Sequence, residues 1–180
     1  MPFFLIKNIG QLLVVENQGR PYKRGLEMSD FPILHNTWLL IEDDLIKEIG
    51  LENSEAPAIK NSFDAKGGVL LPTYVDSHSH LIYASNREDE FAQRLEGLIY
   101  EEIAARGGGI INSAKKLRAY SEDALFEDAQ ERLLELIKMG TGALEIKSGY
   151  GLDTDSELKM LRVARRLASE SPVEIKTTFL

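Results

Sequence analysis

Short apolar runs separated by turn residues occupy the first part of the chain and predict β-strands. They lie at residues 5–7, 11–15, 38–41 and 45–49. Asn, Asp or Gly lies next to each run or one residue beyond it, as is typical of strands. Two more short runs, within residues 61–71, flank Gly67 and Gly68. Two adjacent glycines favour the positive φ angles of a tight turn, so we predict that these runs form a hairpin. The pattern therefore predicts a small β-module over residues 1–70, without any group that looks catalytic.

The hydrophobic spacing changes near residue 72, after which apolar residues recur every three or four positions, as in helices. We predict these elements in chain order: a buried strand at residues 74–76, helices over 88–95 and 98–106, a helix that Ser121 caps and Gly140 ends, a strand at 141–147, a helix from about residue 154 to Pro172, and a strand at 173–180. The glycines at residues 107–109 either end the second helix or bring backbone N–H groups close to a ligand. Strands that alternate with helices predict a parallel sheet with the three strands side by side.

Polar residues follow two of these strands, at the end where parallel α/β folds place their sites. His78 and His80 follow the first strand, and residues 147–151 follow the second. Side chains two residues apart in extended chain point to the same face, so this histidine pair can bind one divalent metal ion. A His-x-His pair also occurs as an ordinary surface feature. Two of the three histidines of the chain lie here, which favours the metal site, whereas His35 has the pattern of a surface or edge-strand histidine.

Five further residues are candidates for the same region, and each has a structural alternative. Arg87 can form a bidentate hydrogen bond with a substrate carboxylate, or it can form salt bridges with the acidic residues around it. Tyr150 lies between two glycines, which favours contact with a ligand, whereas helix packing also explains Tyr100. Asp76 is expected to form a hydrogen bond with the backbone of the loop or with a residue that binds the metal. Lys147 can serve a metal when carbamylated, but a lysine at a strand end is more often a salt-bridge residue.

Composition excludes several classes of protein. The chain has 180 residues, 43% of them hydrophobic, which suffices for one core of fair size. Its 21 basic and 29 acidic residues give a net charge of −8, which argues against a nucleic-acid partner. The absence of cysteine excludes disulfides and thiolate chemistry. The sequence shows no signal peptide and no apolar run near the ~20 residues of a membrane span, so we expect a cytoplasmic protein without a membrane partner.

Taken together, the motifs resemble those of a family of metal-dependent hydrolases. The pattern Pro-x-x-x-Asp-x-His-x-His at residues 72–80 resembles the amidohydrolase superfamily. More narrowly, the segments at residues 86–91, 100–103, 107–110 and 145–152 are similar to those of imidazolonepropionases, which act in histidine degradation. The similarity runs from about residue 35 to the last residue.

The resemblance implies a distorted (β/α)8 barrel beside a small β-sandwich built from both ends of the chain. Residues 1–70 would then be the N-terminal part of the sandwich, and residues 71–180 would be the first βαβαβ segment of a truncated barrel. The implied reaction is hydrolysis of the cyclic amide of 4-imidazolone-5-propanoate to N-formimidoyl-L-glutamate, by water that one Zn or Fe ion activates.

The resemblance also implies roles for particular residues. His78 and His80 match the first two metal ligands of the family. Arg87 and Tyr150 match positions that bind the small-molecule substrate, and Tyr100 is a third candidate for that role. Family members more often have Thr where this chain has Ser79, a change that we expect to be harmless.

The catalytic residues and the remaining metal ligands of the family, a later His and a later Asp, are expected beyond Leu180. Two histidines leave a catalytic zinc one protein ligand short, so we expect the chain alone to be inactive and to bind metal weakly. One alternative is another amidohydrolase, either a deaminase or a different cyclic-amide hydrolase. Another is a non-catalytic module whose exposed sheet edge pairs with a partner. The sequence leaves open the metal and the oligomeric state, with a homodimer among the options.

Overall fold

The structure is a computed structural model that describes residues 3–15, 19–20 and 22–180. Its strands are β1 (Phe3–Leu13), β2 (Ile33–Glu42), β3 (Leu45–Ile49), β4 (Ser62–Asp64), β5 (Val69–Leu70), β6 (Tyr74–Ser79), β7 (Thr141–Lys147) and β8 (Glu174–Thr178). Its helices are α1 (Glu88–Leu95), α2 (Tyr100–Ala105), α3 (Gly109–Ala119), α4 (Glu122–Lys138) and α5 (Thr154–Glu170), with a short 3₁₀ helix at Gly25–Ser29. The chain divides into two compact units, residues 1–72 and 73–180.

The first unit contains one sheet, in which the strand order is β3-β2-β1-β4 and β5 also pairs with β1. The strands β1, β2 and β3 are antiparallel neighbours, and Leu5, Ile9 and Leu12 of β1 are buried. Two separate strands were expected at residues 5–7 and 11–15, but β1 is continuous. Its pairing with β2 shifts between Ile6 and Ile9, because Asn8 takes a positive φ of 54° there and absorbs the irregularity as a bulge does.

The hairpin expected within residues 61–71 is wrong. β4 and β5 do not pair with each other, and both run parallel to β1. The N–H of Gly67 donates to the carbonyl oxygen of Asn8 at 2.8 Å. A Cβ atom on Gly10 would lie 2.2 Å from the carbonyl oxygen of Gly67. The expected tight turn itself is present, since Lys66 and Gly67 have positive φ angles of 50° and 77° and the N–H of Gly68 donates to the carbonyl oxygen of Ala65 at 2.8 Å. It joins two strands of the same direction and not a strand to its antiparallel partner, and the absence of a side chain on Gly10 allows the close approach of the two backbones.

The second unit contains a parallel sheet in the order β6-β7-β8, which confirms the predicted alternation of strands and helices. Helices α4 and α5 pack against this sheet. Their apolar stripes form a core with β7 that includes Leu125, Leu133, Leu144, Ile146, Val163 and Leu167. The Ser121 side chain caps α4 by accepting from the N–H of Ala124 at 3.1 Å, so the cap predicted from sequence is confirmed.

One helix of this unit was not predicted, and one expectation is wrong. Residues 109–119 form the helix α3, to which the sequence pattern assigned no element. Strand β6 was expected to be buried and to end at Asp76, but it continues to Ser79. Tyr74 and Val75 are 61% and 71% exposed, because β6 is at the edge of this sheet and pairs with β7 alone among the described strands.

Candidate active site

The histidine pair lies at the carboxyl end of β6. The ring centroids of His78 and His80 are 5.7 Å apart, with the ring planes at 67°, so both imidazoles can reach one ion. The N–H of His78 donates to Oδ1 of Asp76 at 3.0 Å, which makes Asp76 a partner of local backbone. Nδ1 of His80 is buried and has no hydrogen-bond partner among the described residues. A buried nitrogen left unpaired is costly, and a bound ligand would remove that cost.

Arg132 of α4 holds the segment that follows these histidines. Its Nη1 donates to the carbonyl oxygens of Leu81 and Tyr83, both at 3.1 Å. Its guanidinium carbon also lies 3.6 Å from the centre of the Tyr83 ring, within the range of a cation–π contact. Sequence reasoning missed this residue, since nothing in the helical pattern of α4 distinguishes it from a solvent-exposed arginine.

Tyr150 lies in the loop that follows β7, next to His80. The two ring centroids are 5.2 Å apart and the ring planes are at 89°, an edge-to-face arrangement. On one side of the tyrosine, Gly149 has a φ of 120°. On the other side, a Cβ atom on Gly151 would lie 2.4 Å from the Cβ of Ser156. Both glycines are therefore needed for the path that presents this tyrosine to the histidine.

A cavity of about 250 Å³ connects three of the candidate residues. It is lined by His80, Tyr83, Ala84, Ser85, Asn86, Arg87, Ser113, Leu117 and Tyr150. The structure thus brings together one histidine, the arginine and the tyrosine singled out from sequence. Tyr100 does not belong to this lining, and it lies 49% exposed at the start of α2. His35, by contrast, lies exposed on β2 in the first unit, as expected of a surface histidine.

Arg87 forms the salt bridge that was one of its two predicted roles. Its Nε donates to Oε2 of Glu90 at 2.9 Å, and its Nη2 donates to the same oxygen. The other carboxylate oxygen of Glu90 accepts from the N–H of Gly109 at 2.9 Å. One carboxylate therefore joins the arginine to the start of α3. The Arg87 hydrogen bond lowers the pKa of Glu90 and raises the pKa of Arg87. Sequence reasoning assigned Glu90 no role.

We expect Glu90→Gln to lower the free energy of unfolding by about 1 kcal/mol at neutral pH, because the bond to Arg87 loses its charge while solvent screens the pair. Since the folded-state pKa of Glu90 lies below the ordinary 4.5, this stabilisation is present above that value and is lost as the pH falls through the folded-state pKa. Urea unfolding at a series of acidic and neutral pH values measures the difference.

The matched control for Glu90 is Glu88→Gln, which removes an exposed carboxylate from the same first turn of α1. It should have a smaller effect on the free energy of unfolding than Glu90→Gln. A Glu90→Gln deficit that stays constant into acid would contradict the assignment of the stabilisation to the ionised carboxylate.

Lys147 is a salt-bridge residue, as the simpler of its two interpretations predicted. Its Nζ lies 3.4 Å from Oε1 of Glu145, and its side chain is 16% exposed. The hydrogen bond from Thr178 is the largest cause that lowers the pKa of Glu145, and the nearby His78 contributes to the same shift.

Within residues 3–15, 19–20 and 22–180, no group of three or more His, Cys, Asp or Glu side chains is arranged to hold a metal ion.

Comparisons by sequence identify the relatives of the chain. No protein-family model matches it. It is 50% identical over 177 residues to the imidazolonepropionase of Flavobacterium johnsoniae, covering 98% of this chain and 43% of that protein. The imidazolonepropionase of Christiangramia forsetii is 49% identical over 177 residues, with the same coverage. Over the part of those proteins that it spans, the chain is a homologue of curated imidazolonepropionases. It spans 43% of the length of these two curated imidazolonepropionases.

Comparisons by structure show the fold. A triazine hydrolase from Arthobacter aurescens matches with a TM-score of 0.63 at 18% identity, covering 99% of this chain and 36% of that chain. The atrazine chlorohydrolase of Arthrobacter aurescens TC1 complexed with zinc matches with a TM-score of 0.60 at 18% identity, covering 98% and 35%. The 5-methylcytosine deaminase of Klebsiella pneumoniae liganded with 5-fluorocytosine gives 0.60 at 18% identity, covering 96% and 35%. The chain therefore has a mixed α/β fold like that of amidohydrolase superfamily members.

The described helices do not include one with the length and apolar character needed to cross a bilayer.

Proposed function

We propose that this imidazolonepropionase homologue takes part in histidine degradation, by hydrolysing the cyclic amide of 4-imidazolone-5-propanoate to N-formimidoyl-L-glutamate. The observation that carries the proposal is 50% identity to a curated imidazolonepropionase over 98% of this chain. The cavity supports it, because it brings Arg87 together with His80 and Tyr150, and a guanidinium there can bind the carboxylate of the substrate.

The fold proposal places residues 71–180 as the first βαβαβ segment of a (β/α)8 barrel and residues 1–70 as part of a small β-sandwich. It is supported by the parallel order β6-β7-β8 and by the likeness to larger hydrolases of similar fold. In such barrels the carboxyl ends of the strands carry the site. His78 and the loop of Tyr150 lie at the carboxyl ends of β6 and β7.

The metal proposal is that His78 and His80 hold one ion, zinc or iron. Their ring spacing of 5.7 Å and the unpaired buried Nδ1 of His80 fit a metal, and one structural relative is complexed with zinc. Catalytic zinc takes three protein ligands, of which this pair supplies two. When bound, the metal supplies Lewis-acid activation of water and of the substrate carbonyl.

The substrate-binding proposal assigns the propanoate to Arg87 and the ring to Tyr150. The side chain of Arg87 is 40% exposed and lines the cavity, so a carboxylate can reach the part of its guanidinium that does not face Glu90. Tyr150 packs on His80, which places its phenol beside the proposed metal ligand. A substrate whose carboxylate binds Arg87 and whose ring contacts Tyr150 would have its amide near the histidines. Tyr100 remains a prediction from sequence, as a further contact near Arg87.

The test of this function is a turnover assay on a protein that carries this chain within the full length of its relatives. We expect consumption of 4-imidazolone-5-propanoate, and we expect His80→Asn to reduce turnover at least about 100-fold, since metal activation contributes several kcal/mol. Bound metal, measured by atomic absorption, should fall in parallel. The control His35→Asn removes the exposed histidine of β2 and should leave turnover and metal content unchanged.

Three outcomes would contradict the proposal. Full turnover in His80→Asn would exclude the metal role of that histidine. Release of ammonia from an aminopyrimidine, without consumption of 4-imidazolone-5-propanoate, would favour a deaminase. A stable oligomer that contains no metal and turns over neither substrate would instead favour the non-catalytic module.

A further inference from the structure

A buried carboxylate of α5 holds the loop that carries Tyr150. Glu157 is 4% exposed. Its carboxylate accepts from the backbone N–H groups of Gly151 at 2.7 Å and Leu152 at 2.9 Å. It also accepts from the N–H of Gly149. A buried charge is tolerated only when it is well hydrogen-bonded, and here the loop backbone supplies those bonds. Glu157 and the loop around Tyr150 therefore stabilise each other.

The same loop is held from its other side by α3. Nε and Nη2 of Arg118 donate to the carbonyl oxygen of Gly151 at 3.0 Å and 2.8 Å. Arg118 also lies 2.6 Å from Oδ2 of Asp153. The Asp153 side chain in turn caps α5, by accepting from the N–H of Ser156 at 2.9 Å. Both polar groups of the Gly151 backbone are thus bonded to side chains of helices.

Steric contact adds to these bonds. A Cβ atom on Gly151 would lie 2.9 Å from the backbone nitrogen of Glu157, so the loop rests directly on the first turn of α5. A Cβ atom on Gly149 would lie 3.5 Å from Cε1 of His80, so the loop also passes close to that imidazole. Because both neighbours of Tyr150 are glycines, Tyr150 is the residue of this segment whose side chain lines the cavity.

We infer that Glu157 is a positioning residue, which fixes the backbone on both sides of Tyr150 and thereby holds the tyrosine ring against His80. The use of Tyr150 in substrate binding rests on the proposed function, whereas the contact with His80 does not. Glutamine at position 157 would offer one acceptor oxygen in place of two, and its amide N–H groups would face other donors. Aspartate would keep the charge but draw the carboxylate back by one methylene.

The experiment uses the three histidines as reporters in the 180-residue chain. We compare their Hε1 signals in ¹H–¹³C spectra of the metal-free chain, at a pH well above the ordinary imidazole pKa, with assignments from His35→Asn and His78→Asn. Tyr150→Leu defines the His80 signal without the aromatic ring. We expect Glu157→Gln to shift the His80 signal to the position seen in Tyr150→Leu, while far-UV circular dichroism shows a folded chain.

The matched control is Glu170→Gln, which removes an exposed carboxylate from the end of the same helix and should leave the His80 signal in place. A folded Glu157→Gln chain with the wild-type His80 signal would overturn the inference. If that variant does not fold, amide exchange in the wild-type chain decides. The N–H groups of Gly149, Gly151 and Leu152 should exchange at least about 100-fold more slowly than in free peptide, and exchange at the free-peptide rate would overturn the inference.

A titration with imidazole-4-propanoate separates this inference from the proposed function. If both hold, the dissociation constant of this probe rises about tenfold in Glu157→Gln. If the wild-type chain shows the Tyr150-dependent His80 signal but a protein that carries this chain within the full length of its relatives does not bind the probe, the proposed substrate is wrong and the positioning role of Glu157 stands.

Discussion

Replacing Leu133 by alanine is expected to lower the free energy of unfolding by about 2–5 kcal/mol, since it removes buried methyl groups and leaves a cavity. Leu133 is 1% exposed and belongs to the same buried cluster as Leu144 and Ile146 of β7. Among single substitutions in this unit, the loss should be among the largest, because the core between helix and sheet cannot collapse around the missing atoms without moving both.

The chain provides an adjacent control for this change. Leu134 lies on the same helix and is 50% exposed, so Leu134→Ala should change the free energy of unfolding by about 0.5 kcal/mol or less. Both variants carry the same chemical change in the same helix, so intrinsic helix propensity cancels between them. Urea unfolding followed by far-UV circular dichroism measures both. Equal losses in the two variants would mean that α4 does not bury Leu133 while exposing Leu134.

The second large effect is expected for ligand binding. Arg87→Met should weaken the binding of imidazole-4-propanoate about 10- to 100-fold, because charge-assisted hydrogen bonds to a carboxylate contribute about 1.5–3 kcal/mol. The binding of 4-methylimidazole, which has no carboxylate, should change little. The difference between the two probes isolates the contribution of the carboxylate, and isothermal titration calorimetry on the chain measures it.

Arg94→Met is the control variant for Arg87, since it removes an exposed arginine from the last turn of α1 without changing the cavity lining. It should leave the affinity for both probes near the wild-type value. A loss of affinity that is the same for both probes in Arg87→Met would show that the arginine supports the cavity without contacting the carboxylate. The salt bridge to Glu90 would then be its whole role.

Local patterns in the sequence were sufficient to predict the helices α4 and α5 and the strands around them. Ser121 caps α4, and apolar residues repeat at helical spacing behind it, so both the start and the buried face follow from neighbouring residues. The alternation of strands and helices also indicated that His80 and Tyr150 share one end of the sheet, and their rings are 5.2 Å apart.

Contacts between residues far apart in the chain were not predictable from those patterns. Arg118 bonds the carbonyl oxygen of Gly151, 33 positions away, and Arg132 bonds that of Leu81, 51 positions away. Either arginine taken alone looks like an ordinary charged residue on a helix. The wrong hairpin has the same origin. Gly67 does lie in a tight turn, but only the parallel pairing of β4 and β5 with β1 shows that the turn joins two strands of the same direction.

The double attachment of the Gly151 peptide has a consequence for the thermodynamics of recognition. A segment already immobilised in the free protein loses little further conformational entropy when a ligand arrives. Contacts made by Tyr150 should therefore contribute to affinity almost undiminished by an ordering cost. In calorimetry, substitutions that loosen this attachment would weaken binding through a more unfavourable entropy, with the heat released per ligand largely kept.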